Sequence, residues 1–161
     1  MPPAPTVLEF VEMRLVRIRK VNAVTHEVDV GIQRAVLVDV FGIVGTFTGV
    51  VLGTVDGILA GIDVIRELFE EYGIEITLCL KEGVRISKND LLISFRGDAR
   101  TILLLERTAL NLLMRMSGVA TAAAEYADLV SDYDVRIAGT RKTSPGIAKF
   151  DKYALSVGGV S

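Results

Sequence analysis

Two adjacent cations, Arg141 and Lys142, are the residues of this chain best suited to chemistry. They follow a short apolar run, residues 135–138, and precede two hydroxyl side chains and a Pro-Gly turn. The run predicts a buried strand, so the cations would stand at a strand end. Arginine binds carboxylates through a planar fork, and lysine supplies a compact charge. The pattern indicates a site for a carboxylate or phosphate ligand, and a solvated basic loop is the alternative.

A third candidate, Arg107, lies within a predicted helix upstream. Arg100, Arg107, Asn111 and Arg115 follow one another at intervals of seven, four and four residues, so all four side chains share one face. The remaining positions of this segment are largely apolar. The pattern is typical of an amphipathic surface helix with its polar side in water. The alternative is an arginine presented to an acidic ligand or to a partner subunit.

The composition limits the classes of function. The chain has 161 residues, half of them hydrophobic, which suggests one domain, or one domain plus part of another. A net charge of -2 gives no basic field for nucleic acid or an anionic membrane. The single cysteine, Cys79, is interpreted as an inert strand residue. A chain with one cysteine fits a reducing compartment, so we expect a cytoplasmic protein. The single histidine, His26, has no cysteine or histidine near it, so no metal cage is expected. The first residues do not resemble a signal peptide.

The order of predicted elements indicates an α+β fold. Residues 7–20 are compatible with a helix or an edge strand, and their basic residues are read as a solvated face. The later elements are strands over 35–40 and 48–55, a helix over 61–72, strands over 74–80 and 91–95, and helices over 98–116 and 119–130. We expect Asp98 to cap the first of the two long helices and Ser117-Gly118 to separate them.

The uncharged run over residues 40–55 raises a membrane alternative. Glycines recur every four residues from Gly45 to Gly61, which is typical of packed transmembrane helices. The run is shorter than the roughly 20 residues that span a bilayer. Asp39 and Asp56 flank it in place of lysine or arginine. Two buried strands broken by glycine turns account for the run better, and we expect no membrane association.

Several segments together resemble the quinolinate phosphoribosyltransferase family, also called nicotinate-nucleotide pyrophosphorylase (carboxylating). The resemblance covers about residues 50 to 159, and its pieces occur in the family's order. They are Asp56-Gly57-Ile58-Leu59-Ala60-Gly61, Glu106-Arg107-Thr108-Ala109-Leu110-Asn111, Met116-Ser117-Gly118-Val119-Ala120-Thr121, Ala138-Gly139-Thr140-Arg141-Lys142-Thr143-Ser144-Pro145-Gly146, Lys152-Tyr153-Ala154 and Gly158-Gly159.

The resemblance implies an N-terminal α/β sandwich domain followed by the first strand of an α/β barrel. Enzymes of this family convert quinolinate and phosphoribosyl pyrophosphate to nicotinate mononucleotide, carbon dioxide and pyrophosphate, with Mg²⁺. By resemblance, Arg141 would bind a quinolinate carboxylate. Lys142 would lie between quinolinate and the phosphoribosyl donor, as both a binding and a catalytic residue. Arg107 would reach the site of a neighbouring subunit in a homodimer or larger homo-oligomer.

The resemblance also predicts the domain organisation. Residues 1–45 stay unassigned, because the family's Gly-Asp-(Val/Ile)-Thr-Thr motif has no match there. Residues 46–131 form the sandwich domain with its connecting helices, and 132–161 begin the barrel. A complete barrel takes about 200 residues or more. We therefore expect a truncated, inactive enzyme that lacks the Mg²⁺ ligands. A non-catalytic binding or assembly module from the same family, and the related ModD proteins of uncertain substrate, stay open as alternatives.

Overall fold

The structure is a computed structural model that describes residues 36–41 and 46–160. Its strands are β1 (Val36–Phe41), β2 (Thr46–Leu52), β3 (Gly57–Ile58), β4 (Glu75–Cys79), β5 (Arg85–Ile86) and β6 (Leu91–Asp98). Its helices are α1 (Ile62–Glu71), α2 (Ala99–Leu129) and α3 (Ala148–Val157). The interpretation of residues 7–20 and the prediction for His26 fall outside the described residues.

A four-stranded antiparallel sheet forms the first layer, in the order β1-β2-β6-β4, and β3 pairs with β5 in a separate ribbon. Gly49 of β2 lies opposite Phe95 of β6, and a side chain at Gly49 would come within 2.5 Å of the Phe95 ring. The ring turns its edge to Phe69 of α1, with centroids 4.8 Å apart. Helices α1 and α2 cover this face through Ile62, Ile65, Phe69, Ile102, Leu105, Ala109 and Leu113.

Helix α1 matches the prediction over 61–72 within a residue at each end, and it is capped from a distant turn. Gly61 takes a left-handed conformation with φ of 90° immediately before the helix. The Glu82 carboxylate accepts hydrogen bonds from the amides of Gly61 and Asp63, the second at 3.0 Å. A carboxylate at this end also interacts favourably with the positive end of the helix dipole. The cap joins α1 to the turn before β5, a connection that local sequence does not reveal.

Helix α2 is one continuous helix of 31 residues, so the predicted break at Ser117-Gly118 is wrong. Asp98 caps it as expected, accepting a hydrogen bond from the Thr101 amide at 3.0 Å. The Ser117 hydroxyl does not compete for the backbone hydrogen bonds of α2, because it bonds both the amide and the carbonyl of Ala60. Tertiary packing of this kind outweighs the low helix propensity of glycine.

Two smaller expectations also change. The alternation of Ile74, Ile76, Leu78 and Leu80 in the sequence predicts one buried face for this strand. A register shift between Ile76 and Leu78 instead leaves the Leu78 side chain exposed. Helix α3 was not predicted, since Ile147, the residue before its first turn, provides no side-chain cap. Cys79 lies in β4 as expected, half-buried, and burial raises the pKa of its thiol. Within the described ranges, no helix is both long and apolar enough to cross a bilayer.

Candidate functional site

Three of the segments that carry the family resemblance meet along one side of α2. A side chain at Gly57 would lie 2.7 Å from the Thr121 hydroxyl oxygen, and one at Gly61 would lie 2.6 Å from the Met116 sulfur. At the end of α3, a side chain at Gly158 would lie 2.3 Å from the Ala120 carbonyl oxygen. These glycines allow β3 and α3 to approach α2 closely. The motifs that contain them are therefore packing motifs.

Hydroxyl groups of α2 hold the edge of the β3 ribbon. The Thr121 hydroxyl accepts a hydrogen bond from the Ile58 amide at 2.8 Å and donates to the Ser117 carbonyl at 2.7 Å. Ser117 binds Ala60 as described above. Both hydroxyls are used by the fold, so neither is a candidate for substrate chemistry.

The basic pair lies on the connection between α2 and α3, here called the basic loop (residues 139–146). The prediction of a buried strand over 135–138 is wrong: Val135 is 57% exposed, and no described strand pairs with this run. A strand needs a neighbour for its hydrogen bonds, and the sheets of the described chain end with β6. Arg141 and Lys142 are exposed as expected, and the Lys142 amide donates to the Thr140 hydroxyl at 3.2 Å.

The basic loop is fixed at both ends. Before the cations, the Lys152 ammonium donates to the Gly139 carbonyl at 2.8 Å, and Leu155 packs against Gly139 so closely that a side chain there would clash. After them, the Ser144 amide donates to Asp151 at 3.4 Å, and its hydroxyl accepts from Arg115 at 2.9 Å. The loop is therefore held by α3 at two points and by α2 at one.

Among residues 47–160, Asp151 is the only charged residue that is buried. The hydrogen bond from Arg115 holds the pKa of Asp151 below its usual value; the Ser144 amide adds to this effect, and burial opposes it. The same hydrogen bond raises the pKa of Arg115. Both groups are charged at neutral pH, and they form the electrostatic centre of the contact between α2 and α3.

The structure brings Arg115, and not Arg107, to the basic loop. Arg107 is exposed on α2, eight residues earlier and thus about 12 Å along the helix axis. No contact within the described ranges joins Arg107 to Arg141 or Lys142. Nor does any described carboxylate lie within ion-pair distance of these three cations. Their charges are available to an anion.

Sequence reasoning assigned no role to three charged residues of this region: Asp151, Lys152 and Glu106. Asp151 and Lys152 stand next to each other in α3, and only the helix assignment would have placed them against the loop. Glu106, beside Arg107, is half-buried at a small apolar cavity, and burial raises the pKa of its carboxyl while Arg107 lowers it. A second cavity of about 390 Å³ is lined by residues 51–58 and by α2, and it includes none of the three candidate cations.

The described residues present no cluster of metal-ligating side chains. Magnesium takes oxygen ligands, chiefly carboxylates, water and substrate phosphates. Over 36–41 and 46–160, no three histidine, cysteine, aspartate or glutamate side chains come together to hold a metal. No chemical step is assigned to a metal in this part of the protein.

Comparison with known proteins defines the class. Residues 40–117 match the family model of the quinolinate phosphoribosyl transferase N-terminal domain, and 119–161 match that of its C-terminal domain. A probable nicotinate-nucleotide pyrophosphorylase [carboxylating] from Methanocaldococcus jannaschii is 44% identical over 113 residues, covering 69% of this chain and 39% of that protein.

Solved structures agree. NadC from Streptococcus pyogenes superposes with a TM-score of 0.68 at 32% identity, over 72% of this chain and 43% of that one. Nicotinate-nucleotide pyrophosphorylase from Ehrlichia chaffeensis gives 0.70 at 30% identity, over 74% and 44%. These neighbours confirm the fold class, a mixed α/β sheet domain leading into the start of a barrel. The chain belongs to the quinolinate phosphoribosyl transferase family. It spans about two-fifths of the length of the relatives cited here.

Proposed function

We propose that this chain is part of a phosphoribosyltransferase that acts on quinolinate. The reaction joins quinolinate to the phosphoribosyl group of phosphoribosyl pyrophosphate and releases pyrophosphate and carbon dioxide, giving nicotinate mononucleotide for NAD biosynthesis. Family membership supports the reaction class. The observation that carries the proposal is the basic loop: two exposed cations, without a carboxylate partner among the described residues, on a segment fixed at both ends.

The two cations of the loop take different roles. Arg141 binds a quinolinate carboxylate, since a guanidinium pairs with a carboxylate through two parallel hydrogen bonds. Lys142 lies between quinolinate and the donor and stabilises the negative charge that collects on the departing pyrophosphate. A dicarboxylate and a polyphosphate are both strongly anionic, so adjacent cations suit a site where the two must meet.

Arg107 serves the site of a neighbouring subunit. Its side chain is exposed, and it lies along α2 from the basic loop without a contact to it. This role follows the family resemblance, in which the matching arginine completes the site of another subunit. The assembly is therefore a homodimer or a larger homo-oligomer.

The 161-residue chain alone is inactive under this proposal. It corresponds to 39% of the Methanocaldococcus jannaschii relative, and a complete barrel takes about 200 residues or more. Mg²⁺ would be bound together with the phosphoribosyl donor and would neutralise part of its phosphate charge. The half-buried free thiol of Cys79 fits a cytoplasmic location.

An extended chain tests the proposal. The chain is joined at its carboxyl end to the remaining residues of the Methanocaldococcus jannaschii relative, and both forms are assayed for nicotinate mononucleotide with quinolinate, phosphoribosyl pyrophosphate and Mg²⁺. We expect turnover by the extended chain and none by the 161-residue chain. Lys142→Ala should abolish most of the turnover, whereas Lys149→Ala, which removes an exposed lysine of α3, should not.

The proposal fails if the extended chain folds but Lys142→Ala and Lys149→Ala are equally active. Quinolinate binding by the extended chain without turnover would favour the alternative of a non-catalytic binding module.

A further inference from the structure

We propose that Arg115, Asp151 and Ser144 form a clamp that positions Arg141 and Lys142. The clamp itself follows from the contacts of the chain, and only its effect on quinolinate rests on the proposed function. The three residues come from α2, α3 and the basic loop. They are positioning residues, since none of them needs to contact the substrate.

The guanidinium of Arg115 is the centre of the clamp. Its Nε donates to Asp151 Oδ1 at 2.8 Å, and its Nη2 donates to Asp151 Oδ2 at 2.9 Å. The same Nη2 donates to the Ser144 hydroxyl at 2.9 Å, and the Ser144 amide donates to Asp151 Oδ2 at 3.4 Å. The Asp151 carboxylate therefore binds both the helix and the loop, so the loop cannot leave without breaking charge-assisted bonds.

Burial distinguishes this pair from an ordinary surface ion pair. The Asp151 side chain is 8% exposed and that of Arg115 is 41% exposed. The pair Arg85–Asp128 is 76% and 70% exposed, with one oxygen engaged at 3.2 Å. Exposed pairs of that kind contribute little to stability, whereas bidentate pairs shielded from water hold their geometry. Arg85–Asp128 is thus a matched control within the same chain.

The anchors bracket the cations in sequence. Lys152 holds Gly139, two residues before Arg141, and the clamp holds Ser144, two residues after Lys142. A short segment fixed at both ends has few backbone conformations. Prior ordering of this kind lowers the entropic cost of binding a ligand, so the clamp should increase the affinity of Arg141 for a carboxylate.

Limited proteolysis of the 161-residue chain tests the clamp directly. Trypsin cleaves after arginine and lysine, so cleavage after Arg141 and Lys142 reports on loop release. Asp151→Asn keeps the shape but removes the charge, and one amide N–H would face a guanidinium N–H. Loss of a charge-assisted bond corresponds to about a ten- to a hundred-fold change in an equilibrium. We therefore expect Asp151→Asn to raise the cleavage rate at the loop about ten- to a hundred-fold. Asp128→Asn should leave this rate unchanged.

Ser144→Ala covers the case in which Asp151→Asn does not fold. This variant removes only the hydroxyl that Arg115 binds, and it should raise loop cleavage several-fold without lowering the melting temperature. Ser144→Thr, which keeps a hydroxyl, should restore protection. Unchanged cleavage in the Ser144→Ala variant, or equal cleavage in the alanine and threonine variants, would overturn the clamp.

A double-mutant cycle in the extended chain tests the link to the substrate. Ser144→Ala should raise KM for quinolinate, because the loop that carries Arg141 is less ordered. In an Arg141→Ala background the same substitution should raise this KM much less, because that effect acts through Arg141. Additive effects would show that Ser144 does not act through Arg141. If the extended chain has no activity, the proposed function fails, while the proteolysis result still decides the clamp.

Discussion

Replacing Gly158 with alanine should separate α3 from α2. Gly158 has an ordinary backbone conformation, with φ of -78°, so the new methyl group brings no backbone strain of its own. The methyl carbon would lie 2.3 Å from the Ala120 carbonyl oxygen and 2.6 Å from the Ala123 methyl carbon. Ordinary carbon–carbon contact lies near 3.5–4.0 Å, so α3 must move outward by about 1 Å.

The expected loss follows from what blocks the methyl group. One obstacle is the backbone of α2, which cannot rotate away as a flexible side chain can. Overpacking of a well-filled contact costs about 1–3 kcal/mol, and we expect Gly158→Ala to lose about 3 kcal/mol of unfolding free energy. Urea denaturation of the 161-residue chain measures the loss.

Ser156→Ala, an exposed change on the same helix, is the control and should stay within about 0.5 kcal/mol of the parent. If Gly158→Ala does the same, the contact of α3 with Ala120 does not exist in solution, and the argument that α3 holds the basic loop fails with it.

Three further predictions concern charge. Burial raises the pKa of Glu106, so its ionised form destabilises the fold above its folded pKa; Glu106→Gln should raise the melting temperature at pH 7, and the gain should vanish near pH 4. The pKa of Asp151 is lowered in the fold, so the ionised carboxylate stabilises the fold above about pH 4, and this stabilisation is lost as the pH falls through the pKa of the folded state. The difference in melting temperature between the parent and Asp151→Asn should therefore shrink below pH 4. A difference that stays constant with pH would contradict the ion pair. In the extended chain, Arg107→Ala and Arg141→Ala should each weaken quinolinate affinity about ten- to a hundred-fold at unchanged melting temperature. Mixing the two variants should restore activity if Arg107 crosses to a neighbouring subunit, and wild-type affinity with lowered melting temperatures would show both arginines to be structural.

Local signals in the sequence predicted much of the sheet domain. The predicted helix over 61–72 is confirmed as α1, and the predicted cap at Asp98 is confirmed as the start of α2. Periodicity and capping depend on near neighbours, and a single sequence displays them. Strand β6 was predicted as well, though it extends to Asp98 and not only to Phe95.

The errors arise where distant contacts override local preference. Ser117 and Gly118 predicted a helix break, because the local sequence does not show that Ser117 bonds Ala60, 57 residues away. The run over 135–138 read as a strand because it is apolar, yet strand formation depends on a neighbouring strand.

Some residues of the candidate site could be predicted from the sequence, and others could not. Arg107, Arg141 and Lys142 were found from residue type and order, and their exposure agrees with a binding role that is still a prediction. Asp151 was not found, because a lone aspartate in an unpredicted helix gives no local signal. Its importance comes from burial beside Arg115, which only the packing of α2 on α3 creates.

The two matched segments of the family, 40–117 and 119–161, meet inside α2 and not in a linker. A helix of 31 residues is about 46 Å long and resists bending, since every turn is braced by its own backbone hydrogen bonds. The sheet packs on its first half, and the basic loop is tied near its middle. The boundary at residue 118 therefore cannot act as a hinge. The continuous helix α2 sets the angle between the sheet and the basic loop, and a truncation at residue 118 would cut this helix in two.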